Sequence, residues 1–241
     1  MIIGGLEKLS LLDYPDHLAA IIFTAGCNFR CHFCYNPMLV LPKKGRTEKH
    51  KKEKGFSPLS QKDLFLFLKS RVGRLEGVVI TGGEPTLHRD LPSFIKKIKA
   101  LGYLVKLDTN GSNPTMLAEL IKKKLIDYLA MDLKAPFKKY RQVVNAPVNC
   151  QNLKKSVKII KSSGLPYEFR TTVVPGLLGA KDLALMGQTI KGTDKWYLQA
   201  FKSDTNLVDA AYQARSAYSA KDMRAFAALG EKYVKLCQVR G

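Results

Sequence analysis

The feature that most constrains this chain is an apolar strand followed by a helix, repeated six times. Most of the strands are continuous apolar runs, which is typical of parallel strands covered on both faces. Helical patterns with capping signals at Ser60, Asn113-Pro114 and Ser219 fall between them. This alternation predicts an α/β fold with a parallel sheet, either open and doubly wound or curled into a barrel. The six strands are Ala19–Ala25, Gly77–Thr81, Leu104–Asp108, Tyr128–Leu133, Tyr167–Val174 and Trp196–Phe201.

The sequence shows neither an internal repeat nor an interdomain linker, so we predict one domain over residues 1–241. Of its residues 46% are apolar and 25% are charged, a balance that excludes disorder and a small disulfide scaffold. Two stretches lack strand or helix periodicity. They are a basic loop at 42–58 and the start of a C-terminal segment at 202–241.

The chain is strongly basic, with 40 Lys and Arg against 20 Asp and Glu and a net charge of +20. Such a field favours a polyanionic partner: a nucleic acid, an acidic protein or an anionic membrane. The basic run at 43–54 contains no aromatic residue that could stack on bases and has no apolar helical face for a membrane. We therefore expect a salt-sensitive encounter with an acidic protein, regard nucleic acid as less favoured and expect no membrane contact.

Five cysteines are an odd number, and three of them lie within eight residues, which indicates metal ligation in a reducing cytoplasm. Cys27, Cys31 and Cys34 have the spacing C-x3-C-x2-C. Three soft ligands suit zinc, with His32 as a fourth ligand, or a [4Fe–4S] cluster in which one iron stays open to another molecule. We predict that Cys150 and Cys237 are packing residues, the latter on the apolar face of the last helix.

Polar and glycine-rich groups follow four consecutive predicted strands. In parallel α/β folds the loops at the carboxyl ends of the strands converge on one crevice, so these groups are candidates for the site. The four groups are Gly26-Cys27, Gly82-Gly83-Glu84-Pro85, Asp108-Thr109-Asn110-Gly111 and Asp132-Leu133-Lys134.

The cysteine motif, with Phe33 before its last cysteine, resembles that of the radical S-adenosylmethionine (SAM) family. The Gly-Gly-Glu-Pro sequence at 82–85 is similar to the family loop that binds the SAM amino group. Three further stretches resemble the glycyl-radical-enzyme activases, above all the activators of anaerobic ribonucleoside-triphosphate reductase and of pyruvate formate-lyase. They lie at 4–15, 23–31 and 34–37.

This resemblance implies a partial (β/α)6 TIM-like barrel, one [4Fe–4S] cluster on the three cysteines, and bound SAM. It also implies a monovalent cation near Asp108 and Asp132. Tyr35 stands where the activases more often have histidine, and Gln199 where some have a histidine near SAM. The residues expected around SAM are Phe33, Tyr35, Gly82, Gly83, Glu84, Asp108, Thr109, Asp132, Leu133, Lys134, Arg170 and Gln199.

The resemblance thus predicts an anaerobic, iron–sulfur oxidoreductase that cleaves SAM reductively to a 5′-deoxyadenosyl radical. Its expected substrate is a glycyl radical enzyme, such as anaerobic ribonucleoside-triphosphate reductase, and its expected electron donor is a one-electron carrier such as flavodoxin or ferredoxin. Two alternatives are a radical SAM enzyme acting on RNA or a small molecule, and a zinc-binding interaction module.

Overall fold

The computed structural model describes residues 1–40 and 58–240, so the predicted basic loop at 42–58 lies outside the described residues except for Pro58. Eight strands follow in chain order across one sheet. The first pairs antiparallel with the second, whereas the second and third, third and fourth, sixth and seventh, and seventh and eighth pair parallel. The strands are β1 (Ile3–Ser10), β2 (Ala19–Thr24), β3 (Gly77–Gly82), β4 (Leu104–Thr109), β5 (Tyr128–Asp132), β6 (Tyr167–Val173), β7 (Lys195–Ala200) and β8 (Leu236–Arg240).

The helices fall between the strands and begin where the capping signals predict. Ser60 accepts a hydrogen bond from the Asp63 amide, Ser219 caps the last helix, and the fourth helix begins at Pro114. In the part of the chain that the structure describes, no helix is long and apolar enough to cross a membrane. The helices are α1 (Pro37–Val40), α2 (Gln61–Ser70), α3 (Leu91–Lys99), α4 (Pro114–Lys122), α5 (Tyr140–Val144), α6 (Cys150–Lys161), α7 (Ala180–Thr189) and α8 (Ala220–Gly230).

The chain divides into two compact units. Unit 1 comprises residues 1–28, 38–109 and 115–129, and unit 2 comprises 29–37, 110–114 and 130–241. In unit 1, β2 and β3 pair in register along their whole length, so that Thr24 lies beside Gly82 at their carboxyl ends. The loops that follow these two strands therefore begin side by side.

Unit 2 is built around β6, β7 and β8, which run parallel. Its central side chain is Trp196, which is fully buried and donates from Nε1 to the Thr171 hydroxyl at 3.0 Å. Phe169 on β6 and Cys237 on β8 flank Trp196 in register. Burial of large apolar side chains of this kind supplies most of the stability of an α/β core.

The structure confirms the α/β fold with a mostly parallel sheet and corrects two details at its ends. The sequence predicts six strands, and the structure adds β1 and β8. The strand β1 escapes a pattern search because it has a pair of glycines and an exposed middle. The prediction that Cys237 lies on the last helix is wrong, since α8 ends at Gly230 and Cys237 lies in β8. It is nonetheless a buried packing residue, and burial raises the pKa of its thiol to about 12.

Candidate functional site

The second and third cysteines of the motif lie in unit 2 and are joined by a tight turn. The Cys34 amide donates to the Cys31 carbonyl at 3.0 Å. The side chain of Cys31 is buried, that of Cys34 is half-buried, and neither forms a disulfide. The Lys134 ammonium lies near the sulfurs of both cysteines, which favour the charged form of the lysine. Because a nearby cation equally favours a thiolate, this environment suits cysteines that act as soft metal ligands.

The first cysteine, Cys27, lies in unit 1 directly after the end of β2. The preceding residue, Gly26, has φ +99°, and its amide donates to the Leu39 carbonyl at 2.7 Å. Cys27 is half-buried and likewise forms no disulfide. Within residues 1–40 and 58–240, no three His, Cys, Asp or Glu side chains form a ready-made metal site. The ligand role of the cysteines therefore rests on their spacing and on the environment of each thiol.

The C-terminal segment contacts the cysteine loop in unit 2. The amides of Val208 and Asp209 donate to the carbonyls of Cys34 and His32, both at 3.1 Å. His32 Nδ1 lies 2.8 Å from Asp209 Oδ2, and the imidazole stacks on the Tyr212 ring at 5.0 Å. His32 thus serves to anchor this segment to the cysteine loop.

Two aromatic residues predicted around SAM are held in the same loop. Phe33 is buried, with 4% of its surface exposed. The Tyr35 hydroxyl accepts a hydrogen bond from the Lys202 amide at 2.9 Å, and burial raises the pKa of Tyr35. Both side chains therefore help to fix the shape of the loop that carries Cys31 and Cys34.

In unit 1 the two glycines of the 82–85 loop are required by the backbone of the neighbouring loop. A Cβ on Gly82 would overlap the backbone of Thr24, and a Cβ on Gly83 would overlap the carbonyl of Gly26. The Gly83 amide donates to the Thr24 carbonyl and the Glu84 amide to the Gly26 carbonyl, both at 2.8 Å. Because glycine has no side chain, the two loops can pack together at these positions. This packing could not be predicted from the sequence alone.

Glu84 is a fully buried carboxylate whose Oε1 collects hydrogen bonds within unit 1. It accepts from the Thr86 amide at 3.1 Å, from the Thr86 hydroxyl, and from the Thr109 hydroxyl at 2.7 Å. A buried carboxylate is stable only when such donors replace the water it has lost. These contacts join the predicted residues Glu84 and Thr109 directly.

Asp108, also in unit 1, is accompanied by a lysine that the sequence analysis did not select. Lys106 is 1% exposed, and its Nζ lies 3.2 Å from Asp108 Oδ1. The same ammonium donates to the Asp13 carbonyl at 2.6 Å and lies 5.7 Å from the centre of the Tyr128 ring. A buried ammonium needs this set of partners to offset its loss of hydration.

Asp132 in unit 2 has two cationic neighbours, both predicted as SAM-side residues. Arg170 Nε donates to Oδ1 at 2.9 Å, and Lys134 Nζ lies 3.2 Å from Oδ2. Burial opposes ionisation of the carboxyl, but these two charges outweigh it and lower the pKa of Asp132 to about 2. The Asp132 carboxylate likewise raises the pKa of Lys134 against the effect of burial. All three groups are therefore charged at neutral pH.

The two remaining predicted residues, Leu133 and Gln199, lie in unit 2. Leu133 is buried, its amide donates to the Arg170 carbonyl at 2.9 Å, and its carbonyl accepts from the Thr171 hydroxyl at 2.7 Å. Gln199 is half-buried in β7, opposite Thr172 of β6 and Arg240 of β8. Contact of Gln199 with SAM stays a prediction.

Comparisons with known proteins agree with this chemistry. Residues 21–182 match the model of the radical SAM superfamily. A Methanocaldococcus jannaschii protein assigned as a glycyl-radical enzyme activating enzyme is 34% identical over 99% of this chain and 95% of its own length. The pyruvate formate-lyase-activating enzyme of Streptococcus mutans is 26% identical over 79% of this chain and 72% of its own.

Solved structures extend the likeness to the fold. The structure of Streptococcus suis SuiB bound to S-adenosylmethionine superposes with a TM-score of 0.64 at 16% identity. The match covers 92% of this chain and 52% of SuiB. On the extent of the family match and of the similarity to the activating enzyme, this chain belongs to the radical SAM superfamily and is an enzyme of the activating type.

Proposed function

We propose that this protein installs a glycyl radical on a partner enzyme, and that the partner is an anaerobic ribonucleoside-triphosphate reductase. The family implies a [4Fe–4S] cluster and bound SAM, and the similarity to activating enzymes implies a glycyl radical enzyme as substrate. The observation that supports this function most is the 34% identity to the M. jannaschii activating enzyme along nearly the whole of both chains.

The thiols of Cys27, Cys31 and Cys34 would hold the cluster. Three ligands leave one iron able to accept another molecule, and the Lys134 charge beside Cys31 and Cys34 fits ligation by thiolates. When bound, the cluster and SAM together supply reductive cleavage of a C–S bond to methionine and a 5′-deoxyadenosyl radical, which takes a hydrogen atom from the partner's glycine. No acid–base side chain is needed for that step.

The protein's own residues would then bind and orient SAM. Glu84 and Asp108 offer carboxylate oxygens to its ammonium, while Lys134 and Arg170 offer cations to its carboxylate. Asp132 keeps both cations charged and fixes their direction. The monovalent cation expected near Asp108 and Asp132 stays a prediction.

The experiment that tests this function uses electron paramagnetic resonance on the partner. The anaerobically reconstituted protein is mixed with SAM, a reductant and an anaerobic ribonucleotide reductase from the same genome. We expect a glycyl radical doublet on the reductase, lost when its glycine is replaced by alanine. SAM cleavage without any doublet would retain the radical SAM chemistry and overturn the choice of partner.

A further inference from the structure

A long stretch of unit 2 carries only positive charge. Between Asp132 and Glu168 the chain contains eight Lys and Arg and not one Asp or Glu. Seven of these cations have exposed side chains. This stretch contributes +8 of the net charge of +20 and, unlike the basic loop at 42–58, it lies within the described residues.

The cations of α6 form one stripe. Lys154, Lys158 and Lys161 recur at helical spacing with Lys155 beside them, while Leu153, Ser156, Val157 and Ile160 on the opposite face are buried. Four lysines without an acidic neighbour on the helix repel one another, which costs stability unless a function retains them.

The stripe continues onto the turn before α5. The Lys154 ammonium lies 5.1 Å from the centre of the Phe137 ring, and the Cys150 thiol at the start of α6 contacts the Phe137 carbonyl at 3.6 Å. Lys138 and Arg141, both exposed, flank Phe137 on the side of α5. We call the surface formed by Lys138, Arg141, Lys154, Lys155 and Lys158 the α5–α6 basic face.

This face adjoins the cysteine loop. The Arg30 amide, one residue before Cys31, donates to the Val144 carbonyl at the end of α5 at 2.8 Å. The rings of Phe29 and Tyr140 pack with centroids 6.2 Å apart. The helix that borders the basic face is therefore in direct contact with the residues that lead into Cys31.

We infer that the α5–α6 basic face is the docking surface for an acidic one-electron carrier protein that reduces the cluster. This inference rests on the proposed function, which requires one electron from outside. Electron transfer weakens steeply with distance, so the carrier must bind beside the cluster ligands. Each turnover takes one electron from the carrier and gives it to the cluster, and no atom is transferred.

The chemistry of the face fits a transient protein partner better than a nucleic acid. Four of the five charges on the α5–α6 basic face are lysines, which act as hydrated point charges that speed an encounter without fixing one geometry. Redox complexes are typically small and held by such charge complementarity. The α6 stripe contains no exposed aromatic residue on which a base could stack.

The test measures the oxidation of a reduced, acidic flavodoxin by the reconstituted protein in a stopped-flow apparatus at low and high salt. The variant is Lys154→Gln/Lys155→Gln/Lys158→Gln. The control, Lys96→Gln/Lys97→Gln/Lys122→Gln, removes the same charge from exposed positions of α3 and α4. We expect a fall of about tenfold or more in the second-order rate constant for the α6 variant at low salt, and less than about twofold for the control.

The affinity of flavodoxin for the protein without its cluster should follow the same order, with a larger loss in the α6 variant than in the control. Equal losses in the two variants would overturn the inference, because only the total charge would then matter. No loss in either variant would also overturn it, because neither surface would then matter. A wild-type electron-transfer rate in an α6 variant that has lost RNA binding would also overturn it. Reduction by dithionite, which needs no carrier protein, separates the two proposals. If the wild-type protein fails to cleave SAM with dithionite, the proposed function fails. If all variants cleave SAM with dithionite at the wild-type rate, docking is the step that the substitutions affect.

Discussion

Apart from the Cys27 thiol, the side chains predicted for the site in unit 1 are hydrogen-bonded oxygen acceptors, whereas those in unit 2 include two thiols and two cations. In unit 1 the Glu84 carboxylate collects three hydrogen bonds on one oxygen, and Asp108 pairs with the buried Lys106. In unit 2 the Asp132 carboxylate is outnumbered by Arg170 and Lys134. The carboxylates of unit 1 suit a cationic group and the cations of unit 2 suit an anionic one.

The two units also differ in how their residues are fixed. Unit 1 relies on close backbone packing between the loops after β2 and β3, where only glycine fits at position 83. Unit 2 relies on side-chain ion pairs, which tolerate substitution better but set the local charge. Substitution of a packed glycine in unit 1 should therefore act mainly through folding, whereas loss of a cation in unit 2 should act mainly through SAM affinity.

The largest effect is expected from Gly83→Ala in unit 1. The added Cβ overlaps the Gly26 carbonyl, so the loop must shift, at a cost of about 3 kcal/mol in the free energy of unfolding. Urea denaturation measures this loss. Gly102→Ala is the control, because Gly102 has φ +89° with open space around it and should cost only about 1 kcal/mol. Equal losses in the two variants would show that backbone packing does not distinguish position 83.

The next effect is expected from Arg170→Gln in unit 2. Losing a charge-assisted contact costs about 1.5 to 3 kcal/mol, which corresponds to roughly ten- to a hundredfold weaker SAM binding. Calorimetric titration of the reconstituted protein with SAM gives the Kd. Arg141→Gln, on the exposed side of α5, should leave the Kd unchanged. Unchanged SAM affinity in Arg170→Gln would remove this residue from the site.

The pH dependence of stability should reveal the ion pairs of Asp132. The pKa of this carboxyl is about 2 in the folded protein, below its ordinary value of 3.8. Because the folded pKa is depressed, the pairing stabilises the protein above about pH 4, and this contribution is lost as the pH falls towards 2. The shift corresponds to about 2 kcal/mol. Unfolding of wild type and Asp132→Asn should therefore differ by that amount at pH 6 and converge near pH 2; a difference independent of pH would contradict the pairing.

The smallest effect is expected from Thr109→Val, which removes one of the three donors to Glu84 Oε1. A single lost hydrogen bond of this kind costs about 1 kcal/mol. SAM binding should weaken only a few-fold, since Glu84 keeps both contacts from Thr86. Thr115→Val on the exposed side of α4 is the matched control. A hundredfold loss of SAM affinity in Thr109→Val would instead indicate direct contact between this hydroxyl and SAM.

Much of the fold could be predicted from the sequence, because continuous apolar runs bounded by glycine mark buried parallel strands. All six predicted strands begin or end within one residue or two of those in the structure. The strand β1 could not be predicted, since its pairing with β2 depends on backbone contacts rather than on an apolar pattern. The placement of Cys237 in a helix was wrong because the apolar residues around it are as numerous as expected for a short strand or for a helix.

The site could be predicted as a set of residues but without their partners. Spacing alone selects Cys27, Cys31 and Cys34. The role of Lys106 could not be predicted, because a lysine in a strand ordinarily points to solvent and its partner, the Asp13 carbonyl, lies 93 positions away. The contact between His32 and Asp209 likewise joins residues 177 positions apart.

The most direct test of the central claim is the yield of 5′-deoxyadenosine from SAM after anaerobic reconstitution and reduction with dithionite. Wild type and Cys150→Ala should contain about four iron and four sulfide per chain and should produce 5′-deoxyadenosine and methionine in equal amounts. Cys31→Ala should form none. Cleavage of SAM by Cys31→Ala at the wild-type rate, or a wild-type protein that takes up one zinc and no iron, would contradict the assignment.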